Sequence, residues 1–410
     1  MKRLLISIFS ILLLLSGKAF ADTWAVYMYF CGSDLETRFG AASADIAEAA
    51  GATLPPEISV VIQTGGAKQW KNESISNEHL QRWIVSGKNQ LERVDEQDQA
   101  NMGDEATLIS FLNFCNKNYP ADHKILVIWD HGGGSLWGIA NDENFDGDFL
   151  SLKEVRGALR RVYGSRPSTP PFEIIGFDAC LMATLDTACA VQEYARYMVA
   201  SQEQEPGTGW DYTGWLNALG QKTTMSGIEL GRVICNTYKQ SCLKEDTHGK
   251  ATLSVTDLAK IPALNTLYNE LGFEALRRHV NDDKFLTAYA RCIRRSENYV
   301  NSKTQGYTNM ADLGSILKQL QQELPEFASI TRKMLKAAIP YQVSGHLLNP
   351  SGLSCYYPFD GDKKNYSAMI KDGMMTSFLL LQGLQFDFID KTFYLKQVNA
   401  LTVSMASNLV

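Results

Sequence analysis

A histidine and a cysteine each come shortly after an apolar segment, at positions where a parallel sheet would bring them together. His131 follows the apolar run 125–129, and Cys180 follows the run 172–177. Ligands of open α/β sheets bind at the carboxyl ends of the strands, so both side chains are expected at one edge. A histidine that accepts a thiol proton creates a thiolate nucleophile, which is the chemistry of a cysteine peptidase.

Cys180 occupies a predicted turn from a strand into a helix that runs from about 182 to 194. Free N–H groups at the start of that helix would lower the pKa of the thiol and stabilise an oxyanion. A buried structural role is the commonest alternative for a cysteine, and it is assigned to Cys189 in the middle of the helix. The position therefore favours Cys180 as the nucleophile.

His131 begins the sequence His-Gly-Gly-Gly, a setting that none of the other histidines has. The glycines 132–134 let the backbone approach a ligand closely, although they can also form an ordinary turn. In lipases such a motif supplies the oxyanion hole, and the nucleophile lies in Gly-x-Ser-x-Gly. The chain contains no Gly-x-Ser-x-Gly segment, so a serine esterase is disfavoured.

Strand and helix patterns alternate in the first half of the chain, which predicts an α/β fold with a mostly parallel sheet flanked by helices. The helix that ends near residue 50 is expected to begin at Ser33 or Asp34, and the next at Asp104. The predicted strands are 24–31, 58–63, 79–85, 125–129, 172–178 and 197–201, and the further helices are 104–116, 152–163 and 182–194.

The second half of the chain is rich in helix patterns. Three parts are therefore predicted: a signal peptide (1–21), a catalytic α/β domain (22–215) and a helix-rich part (216–410) packed on the catalytic sheet. The Asn-Pro-Ser-Gly sequence predicts a hairpin turn. The predicted helices are 228–241, 262–279, 285–295, 313–323 and 330–338, with a strand at 251–255 and a hairpin that pairs 343–347 with 353–357.

The first 21 residues have the pattern of a secretory signal peptide. Lys2 and Arg3 precede the apolar stretch 4–15, and the small residues Ala19 and Ala21 mark a cleavage site. The apolar stretch is too short to span a membrane. The mature chain is therefore expected to be exported, to the periplasm or the medium, with no membrane attachment after cleavage.

The net charge and the cysteine pattern argue against nucleic-acid binding, membrane binding, a disulfide framework and a structural metal site. The formal net charge is −6 over 410 residues, and removal of Lys2, Arg3 and Lys18 with the signal peptide lowers it to −9. An acidic chain is unsuited to binding nucleic acid or anionic membranes. The 8 cysteines are scattered through apolar segments without a CxxC pattern, which predicts buried free thiols rather than disulfides or a metal site.

Several motifs, in this order along the chain, resemble those of the clostripain family of cysteine peptidases. They cover most of the mature chain, from about 24 to 358, and comprise Gly32-Ser33-Asp34-Leu35-Glu36, Asn101-Met102-Gly103-Asp104, Trp129-Asp130-His131-Gly132-Gly133-Gly134, Gly176-Phe177-Asp178-Ala179-Cys180-Leu181-Met182, Glu205-Pro206-Gly207-Thr208-Gly209-Trp210 and Ser351-Gly352-Leu353-Ser354 with Tyr356-Tyr357-Pro358.

The resemblance implies a caspase-like fold in which Cys180 is the nucleophile and His131 the general base or acid. Backbone N–H groups of Cys180 and of Gly132 or a neighbouring glycine would form the oxyanion hole. The reaction would be hydrolysis of a peptide or protein substrate through a thioester. The same motifs also admit a catalytically weak or inactive relative that binds peptides or a partner protein in the cleft.

The resemblance also implies cleavage after Arg or Lys, with acidic residues receiving the basic side chain. Asp178 matches one such acid, although it could instead cap a helix. Thr208 stands where a second acid is expected, and Glu203, Glu205 and Asp211 are close in sequence. Asp178 and Thr208 are therefore the predicted substrate-binding residues.

No cofactor is required by this chemistry, but an acidic loop leaves calcium open. Asp142, Asn144 and Asp146 place oxygen ligands at alternate positions, as in the first half of an EF-hand loop. Lys153 occupies the twelfth position, where an EF-hand needs a bidentate glutamate. A solvated loop is the alternative, and the resemblance to clostripain keeps calcium in view.

Some relatives are activated by cleaving themselves after a basic residue in the loop before the nucleophile strand. In this chain 141–150 contains no Lys or Arg, and Lys153 is the first basic residue beyond it. We therefore expect the purified mature chain to stay intact during incubation, as followed by gel electrophoresis and mass spectrometry. Two fragments that form in the native chain and are absent from Cys180→Ala would contradict this.

Overall fold

The computed structural model describes residues 22–282, 284–302, 306–371 and 377–386, and the predicted signal peptide lies outside this part. None of the helices in these ranges has the length and apolar character needed to cross a membrane. The strands are β1 Trp24–Cys31, β2 Ile58–Gly65, β3 His79–Gly87, β4 Gln90–Asp98, β5 His123–Trp129, β6 Ile139–Asp142, β7 Asp148–Leu150, β8 Phe172–Asp178, β9 Ala195–Ala200, β10 Thr252–Asp257, β11 Asn298–Ser302, β12 Gly306–Asp312, β13 Tyr341–Ser344 and β14 Ser354–Tyr356.

Thirteen α-helices accompany the strands in the described ranges, together with a π-helix at Leu35–Phe39 and a 3-10 turn at Leu258–Lys260. The α-helices are α1 Ala41–Gly51, α2 Glu105–Asn118, α3 Gly134–Trp137, α4 Leu152–Tyr163, α5 Leu185–Val191, α6 Tyr212–Gln221, α7 Gly227–Lys244, α8 Ile261–Asn281, α9 Phe285–Arg294, α10 Leu313–Leu320, α11 Pro325–Ala338, α12 Lys363–Lys371 and α13 Ser377–Gln385.

The central sheet has nine strands in the order β13-β10-β9-β8-β5-β1-β2-β3-β4. Its middle strands, β9, β8, β5, β1 and β2, are parallel, and antiparallel strands extend both edges. Apolar side chains cover both faces of β1, because parallel strands in α/β folds are buried between helices. The predicted α/β sheet flanked by helices is therefore confirmed.

The two faces of the sheet support two hydrophobic layers. Tyr27 and Tyr29 on one face of β1 pack with α2, α4, α5 and α8, while Val26 and Met28 on the other pack with α1, α6 and α7. The helix starts follow local rules: the Asp104 side chain accepts the Ala106 N–H at 2.7 Å, as predicted for a helix cap. Strand alternation and helix capping thus account for the α/β layers.

The helix predicted after Cys180 and the hairpin predicted in the second half of the chain are wrong. The helix after Cys180 begins only at Leu185 and ends at Val191. The segments predicted as a hairpin do not pair with each other: β13 adds to the central sheet beside β10, whereas β14 pairs with β12 in a separate three-stranded sheet. By contrast, the strand predicted at 79–85 is confirmed as β3, which forms a hairpin with β4, a strand that was not predicted.

The helix-rich part completes the central sheet rather than forming a separate layer on it. Residue 215, the predicted domain boundary, lies inside α6, and both β10 and β13 follow that boundary in sequence. Ser254 on β10 donates to the Gly352 carbonyl at 2.8 Å, and Gln202 donates to Asp312 at 3.1 Å, both deep in the molecule. The two halves of the chain therefore share one core.

This shared core predicts that the first half cannot fold alone. A fragment of residues 22–215 would lose β10, β13 and α7, leaving the apolar faces of β8 and β9 uncovered. We expect no cooperative thermal transition for this fragment by circular dichroism, in contrast to a 22–386 control. A sharp transition in the 22–215 fragment would contradict this, because it would show that these residues fold as an independent domain.

Candidate active site

The parallel pairing of β5 with β8 brings the His131 loop onto the Cys180 turn. Trp129 and Asp178, the last residues of the two strands, are direct partners in the pairing register. Gly132 lies so close to the turn that a Cβ on it would come within 2.1 Å of the Cys180 carbonyl oxygen. The structure therefore places both predicted residues at the carboxyl edge of the parallel strands.

The His131 ring is held by Asp34, which lies in the turn after the neighbouring strand β1. Its Nε2 lies 2.7 Å from Oδ1 of Asp34, and its side chain is 40% exposed. Within the described ranges, no hydrogen bond joins the ring to the Cys180 thiol. The loop behind the ring is fixed, because the Gly133 N–H donates to the Gly138 carbonyl at 2.8 Å.

Cys180 lies on a tight turn and not at a helix N-terminus. Leu181 has a left-handed backbone with φ of 67°, and the start of α5 is capped by Thr184, whose hydroxyl accepts the Thr187 N–H at 2.9 Å. The predicted lowering of the thiol pKa by a helix is therefore wrong. Burial raises the pKa of the Cys180 thiol, while the Glu205 N–H, 3.3 Å from Sγ, opposes that shift.

Asp178 is buried directly beneath the nucleophile turn. Its Oδ2 accepts the Tyr212 hydroxyl at 2.8 Å and the Trp210 N–H at 3.3 Å. Since Thr184 caps α5, the helix-cap interpretation of Asp178 is wrong. Burial raises the pKa of Asp178, and hydrogen bonds from Glu205, Tyr212 and Trp210 partly offset the rise.

Glu205 adds a second carboxyl that sequence analysis noted only as a neighbour. Its two carboxyl oxygens are buried, and a hydrogen bond from the Trp210 side chain lowers its pKa. Burial and the adjacent Asp178 charge raise the pKa of Glu205 strongly, and the two carboxyls hydrogen-bond to each other. A protonated Glu205 that donates to an ionised Asp178 removes the repulsion between two buried negative charges.

Asp45 brings a third carboxyl to this cluster, and Thr208 is not part of it. A Cβ on Gly209 would lie 2.9 Å from an Asp45 oxygen and 3.3 Å from an Asp178 oxygen. Burial raises the pKa of Asp45, with the Asp178 charge as the next cause. Thr208 is exposed at the tip of the loop, so its predicted role has no support from the acidic cluster.

Comparison with known proteins identifies the family. Residues 26–379 match the model of the clostripain family. The chain belongs to the clostripain family. A segment of 155 residues, 33% of this chain, is 29% identical to clostripain from Hathewaya histolytica and spans 28% of the length of that protein.

Solved structures of clostripain-family enzymes share the fold. An inactive zymogen C11 protease from Parabacteroides distasonis is 19% identical and superimposes with a TM-score of 0.63, covering 86% of this chain and 95% of its own. A secreted C11 cysteine protease from Bacteroides thetaiotaomicron, solved with an irreversible peptide inhibitor, is 18% identical with a TM-score of 0.62 and coverages of 90% and 100%. At these identities the likeness establishes the architecture alone.

The acidic loop of this clostripain-family member is a hairpin turn between β6 and β7. Asp142 is buried, and its two oxygens accept the Met102 N–H at 2.7 Å and the Asn144 N–H at 2.8 Å. Asp146 is exposed. In the described ranges no group of 3 or more His, Cys, Asp or Glu side chains is arranged to hold a metal. Asp142 is therefore bonded to backbone N–H groups, and calcium binding by Asp142, Asn144 and Asp146 stays a prediction.

The close approach of Gly132 to Cys180 gives a steric prediction. Gly132→Ala would place a methyl group 2.1 Å from the carbonyl oxygen of Cys180, a backbone atom that can move only with the turn itself. We expect the free energy of unfolding to fall by about 1–3 kcal/mol in urea denaturation. Gly207→Ala is the matched control, since a Cβ there meets nothing within 4 Å. Equal stability of the two variants would contradict the contact.

Proposed function

We propose that the protein is an exported cysteine endopeptidase in which Cys180 attacks the peptide carbonyl and His131 transfers the protons. The observation that supports this most directly is the contact between the His131 glycine loop and the Cys180 turn at the edge of the parallel strands. Membership of the clostripain family supports the same chemistry. Export is supported by the signal-peptide pattern of residues 1–21.

The resting site explains why a base is needed. With its pKa raised by burial, the Cys180 thiol is protonated at neutral pH. Attack on a carbonyl therefore requires His131 to accept the proton as the carbon–sulfur bond forms. The protonated ring then gives that proton to the leaving amine, which produces a thioester. Water, deprotonated by the same ring, hydrolyses the thioester and restores the thiol.

The oxyanion that precedes the thioester needs backbone donors close to the sulfur. The N–H groups of Cys180 and of Gly132 remain the proposed pair, because glycine at 132 is the residue whose backbone touches the nucleophile turn. The Glu205 N–H already donates to Sγ at 3.3 Å in the resting site. This third donor stabilises a thiolate rather than the substrate oxygen.

A preference for Arg or Lys next to the scissile bond is supported by charge. Asp178, Glu205 and Asp45 gather three carboxyls behind the nucleophile, and burial raises the pKa of each. A guanidinium or ammonium group of a substrate would favour the ionised carboxyls, so binding would release the proton shared by Asp178 and Glu205. The cluster is closed in this state, and the loop with Gly209 and Trp210 would have to open first.

One observation favours the second candidate, a relative that binds peptides without cutting them efficiently. His131 bonds to Asp34 and forms no hydrogen bond with the Cys180 thiol in the described part of the chain. The resting arrangement is therefore not a pre-assembled ion pair. Turnover measurements separate the two candidates.

The decisive experiment is hydrolysis of fluorogenic peptides with Arg, Lys or a neutral residue before the scissile bond. We expect turnover that falls at least about 1000-fold in Cys180→Ala, because no other nucleophile occupies the turn. Cys189→Ala is the matched control: this cysteine is also half-buried but lies on α5. Alkylation at Cys180 without turnover of any peptide would favour the binding protein instead.

The same peptides test the proposed preference for basic residues. Asp178→Asn should lower kcat/KM for Arg and Lys peptides by about tenfold or more and leave neutral peptides less affected, because a buried partner charge is lost. Thr208→Ala should change the preference little if the acids set it. Equal loss on all peptides in Asp178→Asn would assign that residue to folding rather than specificity.

A further inference from the structure

The bond between His131 and Asp34 leaves one ring nitrogen available for the nucleophile. Nε2 is occupied at 2.7 Å by Oδ1 of Asp34, and the described part of the chain offers no hydrogen-bond partner to Nδ1. The two oxygens of the Asp34 carboxylate have different partners: Oδ1 contacts His131, and Oδ2 accepts a hydrogen bond from Nη1 of Arg38 at 3.2 Å. The hydrogen bond from His131 lowers the pKa of Asp34, so this carboxylate is ionised at neutral pH.

Hydrogen bonds to β2 and to the histidine loop fix the backbone that precedes Asp34. The Gly32 N–H donates to the Gly65 carbonyl at 2.8 Å, which continues the β1–β2 pairing past the end of the strand. Ser33 has a left-handed backbone with φ of 47° and donates its hydroxyl to buried Asp130. Asp130 directly precedes His131, so the turn and the histidine loop are tied together twice.

Hydrogen bonds also fix the π-helix that follows Asp34. Buried Glu36 accepts the Ser43 N–H at 2.8 Å, the Ser43 hydroxyl at 2.6 Å and the Lys71 N–H at 2.6 Å. Of the two predicted caps, Asp34 forms no side-chain cap with the π-helix, whereas the Ser33 hydroxyl accepts the Leu35 N–H at 3.3 Å. The Asp34 carboxylate is directed to His131 instead, at a separation of 97 residues in the chain.

We propose that Asp34 is a positioning residue for the reaction, holding the His131 ring through Nε2 so that Nδ1 accepts the proton of the Cys180 thiol. This inference rests on the proposed peptidase function. When the carbon–sulfur bond forms, the thiol proton moves to Nδ1, while the proton on Nε2 stays on the ring and donates to Asp34. Asp34 itself gains no proton, and its negative charge stabilises the transient imidazolium.

Substitutions at Asp34 separate geometry from charge. Asp34→Asn keeps an oxygen that can accept from Nε2 and loses the charge, whereas Asp34→Ala loses both. We expect kcat to fall by about tenfold or more in Asp34→Ala and by less in Asp34→Asn, with KM nearly unchanged. Asp34→Glu should recover part of the rate. Asp246→Asn is the matched control, because this exposed carboxylate lies 3.8 Å from another histidine, His248.

A second readout does not depend on peptide turnover. The rate of Cys180 alkylation by iodoacetamide, followed by peptide mass spectrometry, is measured for the native chain, Asp34→Ala, His131→Ala and the double variant. If Asp34 acts through His131, Asp34→Ala slows alkylation about tenfold in the native background and leaves it unchanged in the His131→Ala background. Melting temperatures are recorded for all variants to verify folding.

The outcomes distinguish the two proposals. Absence of peptide turnover in the native chain would overturn the peptidase function, and the alkylation cycle would still test Asp34. Faster alkylation in Asp34→Ala would overturn the positioning role, since it would mean that Asp34 holds His131 away from the thiol. Equal slowing in both backgrounds would also overturn it, because the effect would then bypass His131. Unchanged rates in every Asp34 variant would do the same.

Discussion

The site depends on one constraint, the in-register parallel pairing of β5 with β8. Because Trp129 and Asp178 are direct partners, the two strands end side by side, and the loops that follow them begin next to each other. A shift of one residue would exchange the faces to which the side chains point. The glycine at 132 then lets the two loops touch without a side chain between them. The meeting of histidine and cysteine is thus a consequence of backbone pairing.

Two neighbouring strands supply the electrostatic surroundings of that pair. The turn after β1 presents an ionised carboxylate to His131, whereas the loop after β9 brings Glu205 against buried Asp178. The pKa values of these acids are shifted in opposite directions for a physical reason. Asp34 is partly exposed beside Arg38 and His131, and hydrogen bonds and charge from both lower its pKa. Asp178 and Glu205 lie away from water, and burial raises the pKa of each.

The helix-rich half of the chain contributes to the site through the sheet. β10 and β13 cover the edge of β9, whose following loop contains the Glu205 N–H that contacts the thiol. Gln202 in that loop donates to buried Asp312 at 3.1 Å and accepts the Gly352 N–H at 2.6 Å. The position of the loop beside the nucleophile is therefore set by residues more than 100 positions away in the chain.

The sequence by itself determined the parallel strands β1, β2, β5, β8 and β9, the α/β class, the candidates His131 and Cys180, and their common edge. Those features follow from apolar periodicity and from the rule that parallel strands present their ends together. Only the tertiary structure decided that Asp34 contacts His131, that Glu205 rather than Thr208 joins Asp178, and that 343–347 and 353–357 enter different sheets. The physical reason is that the direction of a loop side chain depends on packing between distant segments, which local sequence patterns do not record.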